Sequence, residues 1–581
     1  MKLHGSVLVA LFSLLQLSTQ QRPKPRNSLT VTIKQGTLTG KVMQSLLNKR
    51  DFSAFQGIPY AVPPVGNLRF TDPVEHKGWK GTLMATQEGN DCSQYNHITR
   101  IFSGSEDCLF LNVYTPQIKS KRPLPVMVWI HGGGMVAESS SAQLTGPEIL
   151  MDKDIVLVTL NYRLGLVGLL NLGTKDLHGN YLIRDQILAL KWVQKNIAAF
   201  GGDPNSVTLF GWSAGAASIH FMLISPLAKG LYHKAILQSG CALNDWAFQA
   251  NGFQVYARAV ENLGCGKGGN EEKLKCLRGL DIQKLVDEAS ALTVRERRRD
   301  PAVSLESANK REVLFKNHDM LALPDVPIMA GVTTREGMLN MILLRPLDLT
   351  KEFTENRDFY VPRLLGLKRN TSQFENAWKQ ISTYYKSMPV DETEQYLLMA
   401  SDAEYTLGVD WLVRDLVTKK NRKSPVFYYQ LSFNGSITSL IKSRVPTNRT
   451  GISHGDDLGY LFTMNISDSW QRAPARDRAF ISQITTLWAN FAEKGNPTPD
   501  ATSGVKWLPV RKSSNAPEKI VTSYLDLGEK LVMNDRSLND KRMQFWIKLI
   551  REYSVYFKGH ADVSDSVYDV PKRVKRTAGF H

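Results

Sequence analysis

Short apolar runs rich in β-branched residues recur along the chain, at Leu124 to Ile130, Ile155 to Leu160, Val207 to Phe210, Ala235 to Leu237, Val326 to Ala330 and Val426 to Leu431. They are apolar at consecutive rather than alternate positions, which predicts strands buried on both faces. Between two of them the period changes: Ile187, Leu190, Val193 and Ile197 recur at helical spacing and predict a helix over Leu182 to Phe200 that stops at Gly201-Gly202. Alternating strands and helices predict an α/β protein with a large, mostly parallel central sheet flanked by helices. The more polar, less periodic stretch from Gly252 to Asn317 predicts a helical insertion near the sheet's edge. No internal repeat and no low-complexity linker divides the chain.

The first residues follow a different logic. Lys2, the apolar stretch Val7 to Leu17 and the polar Ser18-Thr19-Gln20 have the layout of a signal peptide. No later segment offers the roughly 20 apolar residues of a membrane span, and the ending Ala578-Gly579-Phe580-His581 matches neither a lipid-anchor signal nor an ER-retrieval signal. The expected organisation is a leader over 1–20, a single domain over 21–560 and a basic, flexible tail over 561–581, released from the cell.

Cysteine usage fits that oxidising route. Cys92 lies close in sequence to Cys108, and Cys265 to Cys276, while Cys241 is left over, so two short-loop disulfides and one inert buried thiol account for all 5 cysteines. Asn370, Asn434, Asn448 and Asn465 sit in Asn-X-Ser/Thr sequons and become candidate glycan sites on the same route, whereas Asn496 is followed by proline.

Hydrophobic residues make up 42% of the 581 and charged residues 22%, enough apolar content to bury a large core. The net charge of +17 is most visible in Arg295 to Arg299 and in Lys572-Arg573-Val574-Lys575-Arg576, the latter resembling a proprotein-convertase site. Neither cluster interleaves aromatic residues, so nucleic acid is not an expected partner. Gly264-Cys265-Gly266-Lys267-Gly268 lacks the Gly-Lys-Ser/Thr ending and the preceding strand of a phosphate loop, and reads as a disulfide-bounded turn.

Gly211-Trp212-Ser213-Ala214-Gly215 is a G-x-S-x-G match directly after the run Val207 to Phe210 and before the apolar Ala216 to Ile224. A strand-to-helix turn at that place would expose Ser213 above the sheet, at the positive end of the following helix. His131-Gly132-Gly133-Gly134 follows the run Leu124 to Ile130 and is far more specific. Consecutive glycines let backbone N–H groups converge on one point, as an oxyanion hole requires, and Gly133 and Gly134 are the expected donors together with Ala214.

A serine hydroxyl needs a base, and the base needs a carboxylate to orient it. His220 lies seven residues beyond Ser213, about 10 Å along one helix, and is out of reach. His454, in the glycine-bracketed loop Gly451 to Asp457 after the last apolar run, can be presented as a mobile imidazole at the sheet's carboxyl end. Glu336 follows Val326 to Ala330 and gives the chain order Ser, Glu, His. Asp456 and Asp457 compete with it, although neighbours of the histidine more often turn the local backbone. This chemistry needs no cofactor and no metal.

Longer stretches carry a resemblance: Phe55-Gln56-Gly57-Ile58-Pro59-Tyr60-Ala61, Pro63-Pro64-Val65-Gly66 with Leu68-Arg69-Phe70, and Ser105 to Val113. Asn161-Tyr162-Arg163, Arg184-Asp185-Gln186, Trp488-Ala489-Asn490-Phe491 and Gly495-Asn496-Pro497 extend it along almost the entire chain after the leader. Together they resemble the type-B carboxylesterase and cholinesterase family. The resemblance implies an α/β-hydrolase fold, a triad of Ser213, Glu336 and His454, an oxyanion hole of Gly133, Gly134 and Ala214, and disulfides Cys92–Cys108 and Cys265–Cys276. It implies a secreted serine esterase acting on small-molecule esters through an acyl-enzyme.

Two departures narrow the expected substrate. The family usually has Glu between the first glycine and the serine, and its juvenile hormone esterases Gln, where this chain has Trp212. Cholinesterases carry a tryptophan in the first disulfide loop, whereas Ser93 to Asp107 contains Tyr95 and no tryptophan. Both point to neutral, hydrophobic esters, juvenile hormone-like methyl esters among them, rather than to cationic ones. A neuroligin-like adhesion protein is the alternative from another functional class, set against the intact triad and glycine run.

Overall fold

In the computed structural model, residues 29–553 are described apart from 97–99, 120–121, 250–251, 296–300, 307–312, 315–319, 344–356, 438–448, 465–472, 501–503 and 513–519. The leader, the basic tail, most of the Arg295 to Arg299 cluster and the sequons at Asn448 and Asn465 lie outside the described residues. Asn370 and Asn434 are both exposed.

An 11-stranded sheet organises the described residues. Its strands are β1 (Lys41–Gln44), β2 (Asp51–Pro59), β3 (Phe110–Thr115), β4 (Leu124–Ile130), β5 (Val156–Leu160), β6 (Gly202–Trp212), β7 (Lys234–Gln238), β8 (Ile328–Thr333), β9 (Val426–Leu431), β10 (Tyr524–Leu527) and β11 (Leu531–Asn534). Across the sheet they run β11-β10-β9-β8-β7-β6-β4-β5-β3-β2-β1. Every ladder from β5 across to β10 is parallel. Antiparallel pairs finish both edges.

The apolar runs are continuous because each strand feeds two cores. Val126, Val128 and Ile130 of β4 enter one cluster while Met127 and Trp129 enter another, and Ala235 and Leu237 of β7 part from Ile236 in the same way. Helices α1 (Tyr181–Asn196) and α2 (Ala214–Ile224) fill the first cluster with Ile187, Leu190, Val193, Ala216 and Ile219. A third helix on the opposite face, Ala475–Lys494, supplies Ile484, Leu487, Trp488 and Phe491 to the second. Full burial of each such side chain contributes roughly 1.5–3 kcal/mol, which is why the sheet is covered on both sides.

The motif Asn161-Tyr162-Arg163 is tied to α1 by a buried ion pair. Arg163 meets Asp185 through Nε (2.8 Å) and Nη2 (2.6 Å) and donates Nη1 to the carbonyl of Thr71 (2.8 Å).

The polar stretch after Gly252 does fold as helices, α3 (Gly252–Asn262), α4 (Asn270–Gly279) and α5 (Ile282–Arg295). It packs mainly on the short helix Gly165–Leu169 and on the hairpin formed by Gln94–Tyr95 and Phe102–Ser103, rather than along an edge strand. The turn at Gly264 leads into the disulfide Cys265–Cys276, and Cys92–Cys108 closes the loop that bears the hairpin.

A separate cluster lies beyond the strand ends. The helix Arg357–Leu365, α6 (Ser372–Lys386) and α7 (Glu392–Ser401) build it together with α10 (Asp540–Tyr553), α9 being the long helix Ala475–Lys494, while α8 (Leu407–Thr418) enters it with Leu407 and gives Val409, Leu412, Val413 and Leu416 to the first cluster. Between α7 and α8 the backbone widens into a π-helical turn, Asp402–Thr406.

Candidate active site

Because β4, β6, β8 and β9 run parallel, the loops that follow them gather at one end of the sheet. Those loops carry the glycine run, Ser213, Glu336 and His454.

Ser213 stands between β6 and α2 at φ 54°, ψ −123°, a backbone setting that L-residues rarely adopt. Its N–H donates to the carbonyl of Gln238 (2.8 Å), which fixes the turn to the end of β7. The flanking glycines answer to β4: a Cβ on Gly211 would lie 2.5 Å from the carbonyl oxygen of Ile130, and one on Gly215 2.1 Å from it. Helix α2 can therefore start against the strand that leads into the glycine run only where side chains are missing.

The glycine run folds back on itself. Gly133 and Gly134 have φ of +83° and +62°, and the carbonyl of Gly133 accepts the N–H groups of Val136 and Ala137 (both 3.0 Å). Beneath it, Tyr162 donates its hydroxyl to the carbonyl of His131 (2.7 Å) and stacks on that imidazole at 4.2 Å. Burial pushes His131 down to about 3, so this ring is a neutral support.

The loops after β8 and β9 are zipped together. Arg335 N–H donates to the carbonyl of Ile452 (2.9 Å) and Ile452 N–H to the hydroxyl of Thr334 (3.0 Å). This places Glu336 Oε2 2.6 Å from Nδ1 of His454. The other carboxylate oxygen accepts the hydroxyl of Ser239 (2.6 Å) and the N–H of Thr333 (2.6 Å), so Glu336 cannot rotate away. His454 is not the mobile side chain that its glycine-rich loop suggests. It is buried, and its ring lies against Trp212 (4.7 Å) and Tyr405 (4.4 Å). Nε2 makes no hydrogen bond among the described residues, so Glu336 and His454 are joined while the link to Ser213 is open.

Of the competing carboxylates, Asp456 turns the local backbone by accepting Ser453 N–H (2.8 Å). Asp457 does not. It accepts from the side chain of Gln238 (2.6 Å), whose oxygen in turn accepts Trp488 Nε1–H (3.2 Å). His220 is spent on the Met320 carbonyl (2.6 Å) and the Ala242 N–H (3.1 Å), and burial brings it down to about 4. Cys241 is buried and its thiol is pushed up to about 12, the inert state expected of it.

A profile of the carboxylesterase family matches residues 27–546. This chain belongs to the carboxylesterase family. Carboxylic ester hydrolysis and the α/β-hydrolase fold come with that membership. Among its relatives, esterase E4 of Myzus persicae is 33% identical over 509 residues, covering 84% of this chain and 90% of that protein. The juvenile hormone esterase of Tribolium castaneum is 33% identical over 505 residues, 82% of this chain and 85% of that one. The crystal structure of juvenile hormone esterase from Manduca sexta, with OTFP covalently attached, superposes with a TM-score of 0.81 at 27% identity, covering 90% of this chain and all of that one.

Three residues of this carboxylesterase site carry no signal that sequence reasoning reads. Gln238 and Ser239, brought up by β7, act through Asp457 and Glu336, and Tyr405 reaches His454 from the π turn, where Asn244 and Trp246 bind the carbonyls of Glu404 and Tyr405 (2.8 Å each). A widened turn of this kind often marks a functional segment, but nothing in the residues Asp402 to Thr406 announces it.

Proposed function

We propose that this carboxylesterase is a serine hydrolase working through an acyl-enzyme. Ser213 is the nucleophile, His454 the proton shuttle and Glu336 its orienting carboxylate, with the N–H groups of Gly133, Gly134 and Ala214 as the oxyanion hole. One observation carries the reading: the 2.6 Å contact of Glu336 with Nδ1 of His454. A carboxylate there holds the proton on Nδ1 and leaves the lone pair of Nε2 to take one from serine. That ring lies against Trp212, the residue preceding Ser213.

In the first half-reaction Ser213 Oγ attacks the ester carbonyl as its proton passes to Nε2, and the carbonyl oxygen becomes an oxyanion facing the glycine amides. His454 then gives that proton to the departing alcohol. Water repeats the sequence on the acyl-enzyme, releasing the acid and restoring the serine. Hydrogen bonds of catalytic groups are often long until substrate binds, which is consistent with the open Nε2.

For substrate, we propose neutral, hydrophobic esters, juvenile hormone-like methyl esters among them. Trp212 and Tyr405 line the imidazole with apolar surface. Glu138, the acid beside Gly133, is pushed up to about 8 by burial and so is mostly uncharged at neutral pH. Similarity to juvenile hormone esterases of two insects agrees with this choice. Secretion, with a leader over 1–20 and a tail over 561–581 outside one catalytic domain, fits the two disulfides and sequons. No helix among the described residues is long and apolar enough to cross a membrane.

The test is hydrolysis of a p-nitrophenyl ester series with a methyl terpenoid ester and a choline ester included, alongside labelling by an organophosphate. Turnover, a label on Ser213, and a drop in kcat on the order of 10⁶ in Ser213→Ala are expected. An active enzyme labelled elsewhere would overturn the serine assignment, and a preference for the choline ester would overturn the substrate reading.

A further inference from the structure

The loop that bears the oxyanion glycines is unusual in its backbone. Gly133, Gly134, Met135 and Glu138 all have positive φ, the last two at +63° and +75° without being glycine. Conformations of this kind cost about 1–3 kcal/mol each and persist only where surroundings over-determine them. Within the loop, the bonds from Val136 and Ala137 to the Gly133 carbonyl set the plane of the Gly133–Gly134 peptide. That plane also contains the N–H of Gly134, so whatever holds residues 136–138 aims the N–H.

The near end is held by Gly165 N–H, which donates to the Met135 carbonyl (2.8 Å). The far end is held by one side chain from another part of the chain. Gln94 accepts the N–H of Glu138 at Oε1 (2.6 Å) and donates Nε2 to the carbonyl of the same residue (2.9 Å). Its amide thus mimics a neighbouring strand and closes a ring with the Glu138 backbone. Nε2 also reaches the Cys92 carbonyl (3.0 Å), and Cys92 is bonded to Cys108. Gln94 is 6% exposed, so water does not compete for these bonds.

We propose that Gln94 is a positioning residue for the oxyanion hole, through which the Cys92–Cys108 hairpin holds the Gly133–Glu138 loop in its strained form. It touches no reacting atom. The proposal rests on the serine-hydrolase reading above, since without an oxyanion there is nothing for the loop to aim at.

The experiment replaces Gln94 by Met, which keeps the length and loses the amide, and by Glu, which keeps the acceptor for Glu138 N–H and loses the donor. With a p-nitrophenyl ester, kcat should fall roughly 10- to 100-fold in Gln94→Met with KM within about twofold, and less in Gln94→Glu. A trifluoromethyl ketone, whose serine hemiketal places an oxyanion in the hole, should lose affinity by the same factor as kcat/KM. An unchanged kcat in either folded variant, or a fall in kcat with full affinity for the ketone, overturns the role of Gln94. If Gln94→Met does not fold, Gln94→Glu alone decides by the same comparison. A wild-type enzyme that never labels at Ser213 would instead sink the functional reading, a result distinct from the other two.

Discussion

Asp457 accepts a hydrogen bond from the side chain of Gln238, the residue whose carbonyl holds the N–H of Ser213. Burial, above all, pushes this carboxyl up to about 6 from an ordinary 3.8, with Glu336 repelling it and Gln238 and His454 drawing it back. An acid that binds its proton more tightly when folded weakens the fold as pH rises, from nothing well below 3.8 to the full cost above about 6. Asp457→Asn removes that cost. The variant should be more stable by on the order of 2–3 kcal/mol at pH 7, with most of the gain gone by about pH 4. Urea unfolding at the two pH values measures it, and an equal gain at both would mean that charge is not the cause.

On the proposed triad, Glu336→Gln keeps the shape of the site and loses the carboxylate that would hold the Nδ1 proton of His454. A fall in kcat of roughly 10³- to 10⁴-fold is expected. Ser239→Ala leaves the Thr333 N–H on the same carboxylate oxygen, so its loss should be closer to tenfold. Steady-state rates of the two variants side by side check the ranking.

The two glycines proposed for the oxyanion hole should respond differently to a methyl group. A Cβ on Gly133 would sit 2.1 Å from the Ala137 carbonyl oxygen, inside the turn that shapes the loop, and Gly133→Ala should lower kcat by at least about 10². On Gly134 the nearest atom is a Val136 methyl at 3.7 Å. Gly134→Ala therefore meets only the strain of its φ, about 1–2 kcal/mol, and should keep more activity.

Arg163 and Asp185 are both buried, with side chains 2% and 0% exposed. Arg163→Met alone strands a carboxylate and should cost about 3–5 kcal/mol in urea unfolding. Adding Asp185→Leu should recover a large part of it, because an apolar pair of similar volume needs no compensation. A double variant as unstable as the single one would assign the loss to the Thr71 contact instead.

Much of this site was legible because it lies at strand ends. The runs Leu124 to Ile130 and Val426 to Leu431 coincide end to end with β4 and β9, and the loops after them carry the glycines and His454. The edge strands were harder to see. Burial in β1 alternates between half-buried and exposed, and β11 has only the three apolar residues Leu531 to Met533, half-buried to exposed, so neither makes a run long enough to stand out. Strand β6 begins five residues before its apolar run, at Gly202, with a register shift against β4 across Asp203-Pro204-Asn205-Ser206, residues that read as a turn. Gln94, Gln238 and Tyr405 were illegible for another reason. Each acts on a residue more than forty positions away, and only the order of strands and the packing of the separate helical cluster decide who meets whom.

The last described helix has a consequence for the order in which the molecule is made. Trp546 of α10 donates to the Tyr385 hydroxyl (2.7 Å), and that hydroxyl and Arg542 Nε both bind Asp402 (2.7 Å each), the first residue of the turn that sets Tyr405 on the imidazole. A nascent chain halted before residue 540 would possess every strand of the sheet and all three residues proposed as the triad, yet lack the brace behind Tyr405. On the proposed triad, synthesis therefore completes the scaffold before the brace behind its imidazole, and activity should appear only once α10 has docked.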